Sequence, residues 1–254
     1  MSSSIAISSI VFACVFGSAL VGLLLHRLVP VDHLSSESKD VVKLALGLIG
    51  TMAALVLGLL TASAKSSFDT IDNEVKQSAA QIVSLDRTLA QYGPETAEIR
   101  DALRRLVALR LNLTWPEDSA HAVQVEAPGT TLSVETMQAH IRALAPQTDA
   151  QRWLQSRAIA ISSDLGASRW LIFIQAGSAL PLPLLVVLVV WLVVLFGTFG
   201  LLAPRNGTVV VALAACALSV SGSIFLILEM SQPLTGTIKV SSAPLHYALA
   251  HLGQ

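Results

Sequence analysis

Four stretches of this sequence, residues 5–25, 44–64, 170–204 and 206–228, run for 20 or more positions without a charged side chain. A bilayer's hydrocarbon core takes about 20 helical residues to cross, so each stretch is long enough to span it. With 53% hydrophobic and only 13% charged residues, 254 residues cannot hide this apolar surface in one water-soluble core. The sequence predicts an all-α integral membrane protein with four transmembrane helices. Its leader, MSSSIAISSI, carries no Lys or Arg before the apolar run, so the first stretch reads as a span rather than a cleaved signal peptide.

The spans divide the chain into a first transmembrane hairpin at 1–64, a helical insert at 65–168, a second transmembrane hairpin at 169–229 and a tail at 230–254. Of 16 Lys and Arg, Arg27, Lys39, Lys43 and Arg205 lie in the two short loops, whereas the insert and its boundary Arg169 hold eleven. This bias, which narrows close to the span ends, favours a cytoplasmic insert. An even number of spans then places both termini on the same side, for a multi-pass protein of the cell inner membrane.

Within the insert, Ile71, Val75, Ser78, Ile82, Leu85, Leu89 and Tyr92 step by fours and threes, which lays one seam along a helix continuing from the second span. Gly93 and Pro94 stop it. Pro94 then opens a second helix, with Ile99, Leu103, Leu106, Arg110 and Leu113 as its seam, to form an antiparallel hairpin with the first. Residues 117–130 lack helical period and read as a mobile loop. A third helix is predicted at 133–144. Thr148 to Gln151 fits a capping box that opens a fourth, carrying Trp153, Leu154, Ala158, Ile161 and Leu165 inward or toward partners. Arg169 and Trp170 suit an interface. Pro181 and Pro183 break the long apolar run, so the third crossing is predicted at 182–202.

Small residues recur every four positions at Gly50, Ala54, Gly58 and Ala62 in the second span, and at Ala215, Ser219 and Ser223 in the fourth. Lipid tails are as apolar as leucine, so spanning helices associate over such small faces. These faces either pack within one subunit or form a pore lining or subunit interface; with Thr51, Thr61 and Lys65, the second-span face is the candidate pore. Ionisable groups at membrane depth are costly, and Glu229, at the end of the fourth apolar run, is the clearest case. It is expected to pair with a Lys or Arg of the insert, to contribute to an ion path, or to reach interfacial water. Arg27, Asp40 and Lys43 read as interface anchors.

Enzyme signals are absent. The six histidines have neither zinc spacing nor a cysteine partner, and no phosphate loop, nucleophile elbow or dinucleotide fingerprint occurs, so no metal and no cofactor is predicted. Cys14 and Cys216 read as small packing residues inside apolar stretches. Arg100, Arg104, Arg105 and Arg110 alternate with acids and read as a solvated helix face, not a nucleic-acid surface.

The segments LSSESKDVVKLALGLIGTMAALVLGLLTASAKSSFD, LDRTLAQYGPE, PQTDAQRWLQSRA, FGLLAPRNGT and IFLILEMSQPLTGTIKVSSAPLHYALAHL together resemble the prokaryotic bestrophin-like membrane proteins, a family catalogued as a domain of unknown function. In the last segment Glu229, Pro233, Gly236 and Ser242 match the family pattern, whereas Ser231 and Gln232 stand where it commonly has Asp and Arg. The resemblance implies four spans with a helical cytoplasmic insert and a distant kinship to bestrophins, which are pentameric anion channels. The second span has no aromatic gate of the bestrophin kind. The function expected is a homo-oligomeric ion channel in the lipid bilayer, pentameric by resemblance with other rings open, and conducting inorganic anions. The alternative is a non-conducting scaffold or signalling protein with a cytoplasmic docking platform.

Overall fold

The computed structural model describes residues 2–26, 36–116, 134–176 and 182–254. They form eight α-helices and no strand: α1 (Ser2–Leu25), α2 (Ser36–Tyr92), α3 (Ala97–Thr114), α4 (Val134–Ala143), α5 (Asp149–Ala176), α6 (Leu182–Leu202), α7 (Gly207–Met230) and α8 (Ala243–His251), with one 3-10 turn at Pro94–Thr96. Four of them, α1, α2, α6 and α7, are long and apolar enough to cross a membrane. The chain divides into two compact units, one of Met1–Phe68 with Ala179–Ile238, the other of Asp69–Ser178 with Lys239–Gln254.

In the first unit α1 is the central helix and lies along both α6 and α7. It runs parallel to α6, because both end together: the His26 ring Nδ1 contacts the Leu201 carbonyl at 2.7 Å. It runs antiparallel to α7, because the Ser4 hydroxyl bonds Glu229 at one end while Arg205 reaches the Leu23 carbonyl at the other. A side chain at Gly22 would put its Cβ 2.0 Å from the Gly197 carbonyl oxygen, and one at Gly200 would sit 2.0 Å from that of Ala19. Only glycine lets α1 and α6 cross this closely, the small-residue packing that apolar solvent favours. Around the crossing, Val11, Val15 and Ala19 of α1 are buried with Leu185, Leu188, Leu192 and Leu195 of α6, spaced by threes and fours as one helix face requires. Cys14 and Cys216 are exposed rather than packed inside.

In the second unit the predicted α2 seam is buried along its whole length, from Ile71 at 1% exposure to Tyr92 at 5%. The Thr96 hydroxyl donates to the Leu89 carbonyl at 2.6 Å and closes the turn into α3. The α3 seam differs from expectation: Ile99 and Leu103 are buried, but Val107 and Leu111 follow, while Leu106 is half-buried and Leu113 is 74% exposed. Steps of four keep these four residues on one face of a short helix, and the polar Arg110 falls outside it. The α5 capping box forms, with the Gln151 amide donating to the Thr148 hydroxyl at 3.1 Å. Its return bond goes one residue further back, from the Gln147 amide to the Gln151 side chain at 2.8 Å. Ala158, Ile161 and Leu165 are buried, Leu154 is half-buried and Trp153 is exposed. Helix α8 is not anticipated by the sequence reading, although Pro244 at its start and the apolar spacing Leu245, Ala248, Leu252 signal it. The predicted loop at 117–130, Arg27, Pro181 and the side chains of Lys39, Arg169 and Trp170 lie outside the described residues.

Candidate functional site

The membrane half of α2 has three faces. Leu46, Ala53, Leu60 and Ala64 are buried in the first unit's core, together with residues of α1, α6 and α7. Leu44, Leu48, Leu55 and Leu59 form a second stripe and are 61% to 77% exposed. Thr51, Ala54, Gly58, Thr61 and Lys65, at steps of three and four, form a third that is also exposed, with Gly50 half-buried at its edge. The second and third stripes lie about a quarter turn apart around the helix. A Cβ at Gly50 or Gly58 would meet nothing within 4 Å. The small face therefore does not serve packing with the described parts of the chain, which is the narrower of the two readings the sequence allows. Thr51 and Thr61 donate to the Leu48 and Leu57 carbonyls of their own helix, both at 2.8 Å, so their hydroxyl protons are satisfied without a partner helix. The Lys65 ammonium lies 5.9 Å from the centre of the Phe68 ring. On α7, Ala215 and Ser219 are likewise exposed and Ser223 is half-buried.

Glu229 is 1% exposed, and no described Lys or Arg pairs with it. Its hydrogen bonds come instead from backbone amides. After α7 the chain turns back on itself, with the Gln232 amide donating to the Glu229 carbonyl at 3.0 Å and the Gly236 amide to the Gln232 carbonyl at 2.9 Å. This turn aims the amides of Thr237 and Ile238 at Oε2 of Glu229, the Ile238 amide at 3.4 Å. Gly236 stands in a tight place, since its Cβ would lie 3.0 Å from both Glu229 Oε2 and the Gln232 carbonyl oxygen, which would have to give by a few tenths of an ångström. Pro233 is buried in the same turn. Oε1 of Glu229 is buried with no hydrogen-bond partner, as are the hydroxyls of Ser8 and Ser221. Glu229, Pro233 and Gly236 thus converge, whereas Ser242 belongs to the second unit as the residue before α8. Ser231 donates to the Leu228 carbonyl at 2.7 Å, taking up the end of α7.

A second buried carboxylate escapes the sequence reading. Asp86, also 1% exposed, receives the Arg100 guanidinium through Nε at 2.7 Å and Nη2 at 2.9 Å, and the Gly253 amide at 3.2 Å. Arg100 is therefore a half-buried clamp on a buried carboxylate and not part of a solvated face. Its hydrogen bond to Asp86 holds its pKa above the ordinary arginine value, against an opposing effect of burial. The nearby Arg87 Nη1 donates to the Gln254 carbonyl at 2.9 Å, and Trp115 Nε1 to that of Val240 at 2.9 Å, so the chain after residue 238 is tied to α2 and α3 by named bonds. No cluster of His, Cys, Asp and Glu able to hold a metal occurs among the described residues. Asp40 and Lys43 form an exposed ion pair at 3.1 Å.

Comparison with protein families matches residues 12–245 to the bestrophin-like domain. No curated protein matches the chain, and no solved structure does.

Proposed function

The chain belongs to the bestrophin-like family, and from that premise we propose that it is the subunit of a homo-oligomeric channel that conducts anions across the cell inner membrane. Bestrophins, for which the family is named, are channels and not enzymes, and this reading carries that to the chain. In this reading α1 with α2, and α6 with α7, form two transmembrane hairpins, the insert and both termini are cytoplasmic, and copies close into a ring. Pentameric closure follows the resemblance, and closed rings are the usual outcome for identical subunits.

The observation that carries the reading is the third face of α2. A face turned only to lipid has no use for two threonines and a lysine beside small residues, and the same helix already has a leucine stripe for lipid. Around a ring axis this face supplies small residues for close approach, hydroxyl oxygens in the neck, and a cation at Lys65 to attract anions. The test is chloride flux from liposomes containing purified protein against empty liposomes. Flux that falls on Lys65→Gln, with the oligomer intact, is the expected result. No flux above empty liposomes, at any lipid composition or membrane potential, would leave the family's fold serving as a membrane platform instead.

A further inference from the structure

Alongside the glycine crossing of α1 and α6, the first unit carries an open apolar groove, lined by Cys14, Ser18 and Leu25 of α1 and by Val194, Thr198 and Leu201 of α6. Along each helix these residues repeat by threes, fours and sevens, so the groove follows the helix axes toward the ends of α1 and α6. At that end stands Arg205. Its Nε donates to the Leu23 carbonyl at 2.8 Å, and its Nη2 to the carbonyls of Leu23 and of Leu24, the latter at 2.9 Å. This fork holds the guanidinium at the last turn of α1, close to Leu25 at the groove's end. Its Nη1 has no partner among the described residues, no described acidic side chain pairs with it, and the side chain is exposed.

We propose that this groove and Arg205 together bind an anionic phospholipid, with one acyl chain between α1 and α6 and the phosphate on Nη1 of Arg205. The groove is apolar at membrane depth, where the solvent is itself made of acyl chains, and its cation sits at the end where a headgroup begins. Arginine suits the task because its planar fork serves two acceptors at once: one edge holds carbonyls of α1 while the other faces outward. The C-terminal ends of α1 and α6 each carry about half a negative charge, which weakens the attraction. The full guanidinium charge exceeds either end, and the His26 contact with the Leu201 carbonyl covers the end of α6. What selects the lipid is thus charge at the headgroup and shape along the chain, two parts that fail separately.

The experiment measures lipid binding to the intact protein by native mass spectrometry and thermal shift in mixed micelles. The lipids are phosphatidylglycerol and phosphatidylcholine with identical acyl chains. The wild type should bind phosphatidylglycerol roughly fivefold more tightly, the usual scale for one cation near an anionic headgroup. Arg205→Gln should erase that preference, and Arg205→Lys should keep part of it. Val194→Trp, which fills the groove and leaves Arg205 in place, should weaken both lipids together. Equal affinity for the two lipids in the wild type overturns the proposal, as does a preference that survives Arg205→Gln. Unchanged binding in Val194→Trp, or a change of its oligomer size without loss of lipid, overturns it too, the latter by making the groove a contact between copies. If soluble glycerol 3-phosphate stabilises the protein as much as phosphatidylglycerol does, Arg205 binds free phosphate and the groove has no part in it. Should Arg205→Gln fail to fold, the Lys and Trp variants still decide the outcome.

Discussion

Asp86 and Glu229 are equally buried carboxylates on long helices, and they are satisfied in opposite ways. Asp86 receives both arms of a guanidinium and a backbone amide, so every oxygen is used and a full positive charge stands beside the negative one. Glu229 receives the Ser4 hydroxyl and amides from the turn it helps to fold, with one oxygen left over. The first arrangement is a clamp: its field is cancelled within a few ångströms, and its cost and benefit are both structural. The second is held by dipoles, which stabilise a charge without neutralising it. In a poorly screened setting a residual charge acts on whatever ion comes near, so Glu229 is a candidate for function in a way that Asp86 is not.

The largest test of this contrast removes a clamp partner. Arg100→Ala leaves Asp86 buried without its cation, and a loss of about 3 to 5 kcal/mol in denaturant or thermal unfolding is expected. Arg100→Lys should recover only part, since an ammonium cannot bridge both oxygens in the same fork. A loss under about 1 kcal/mol would class the pair with exposed ion pairs and dissolve the contrast. Gly236→Ala comes next. The added methyl group presses on Glu229 Oε2 and the Gln232 carbonyl, so these atoms must give way by a few tenths of an ångström, at a cost of about 1 to 3 kcal/mol. An alanine variant as stable as the wild type would mean that the turn does not hold Glu229. Glu229→Gln is milder still, because a carboxamide oxygen accepts from Thr237 and Ile238 as before, and about 1 kcal/mol of stability is expected to go with the weaker bonds. Anion flux or selectivity should nevertheless change with the oligomer intact. If stability falls as far as in Arg100→Ala while selectivity stays fixed, Glu229 is a second clamp.

Sequence periodicity made the apolar architecture readable. The α2 seam and the 182–202 crossing follow from spacing and proline chemistry alone, because burial imposes a period and Pro181 and Pro183 leave few places for a helix to begin. Polar partnerships were not readable in this way. Asp86 and Arg100 are separated by a turn, and nothing in their spacing distinguishes a buried fork from the exposed charges of Arg104 and Arg105. Glu229 stood out by its depth, but its partners are amides, which every residue carries and no composition reveals. The small faces of α2 and α7 were legible, with their use left open between packing and a pore or subunit interface, whereas Gly22 and Gly200, which make the close crossing, lack the long four-residue repeat that singled out α2. Which small stripe meets a helix and which is left outside depends on the direction each helix turns its face, a tertiary fact.

The smallest expected effect on the folded chain sharpens the contrast at its other side, where the first unit leaves a whole helix face unfilled. Ala54 is exposed on the small face of α2, so Ala54→Leu meets no packed neighbour among the described residues and should alter unfolding by no more than about 0.5 kcal/mol. Gly58→Leu should even favour the helix, since glycine is about 1 kcal/mol worse than alanine in a helix interior. Between copies the outcome is reversed, because an added isobutyl group holds two backbones apart where contact needs small residues. Leu55→Val, on the neighbouring leucine stripe at 76% exposure, is the matched control and should leave assembly unchanged. The measurement is oligomer size in detergent beside the unfolding midpoint of each variant. Smaller species for Ala54→Leu and Gly58→Leu at an undiminished midpoint would assign the small face to contact between subunits. Wild-type size for all three would leave that face wide enough for bulky side chains, and Thr51, Thr61 and Lys65 would then have to face water or lipid without a neighbouring copy.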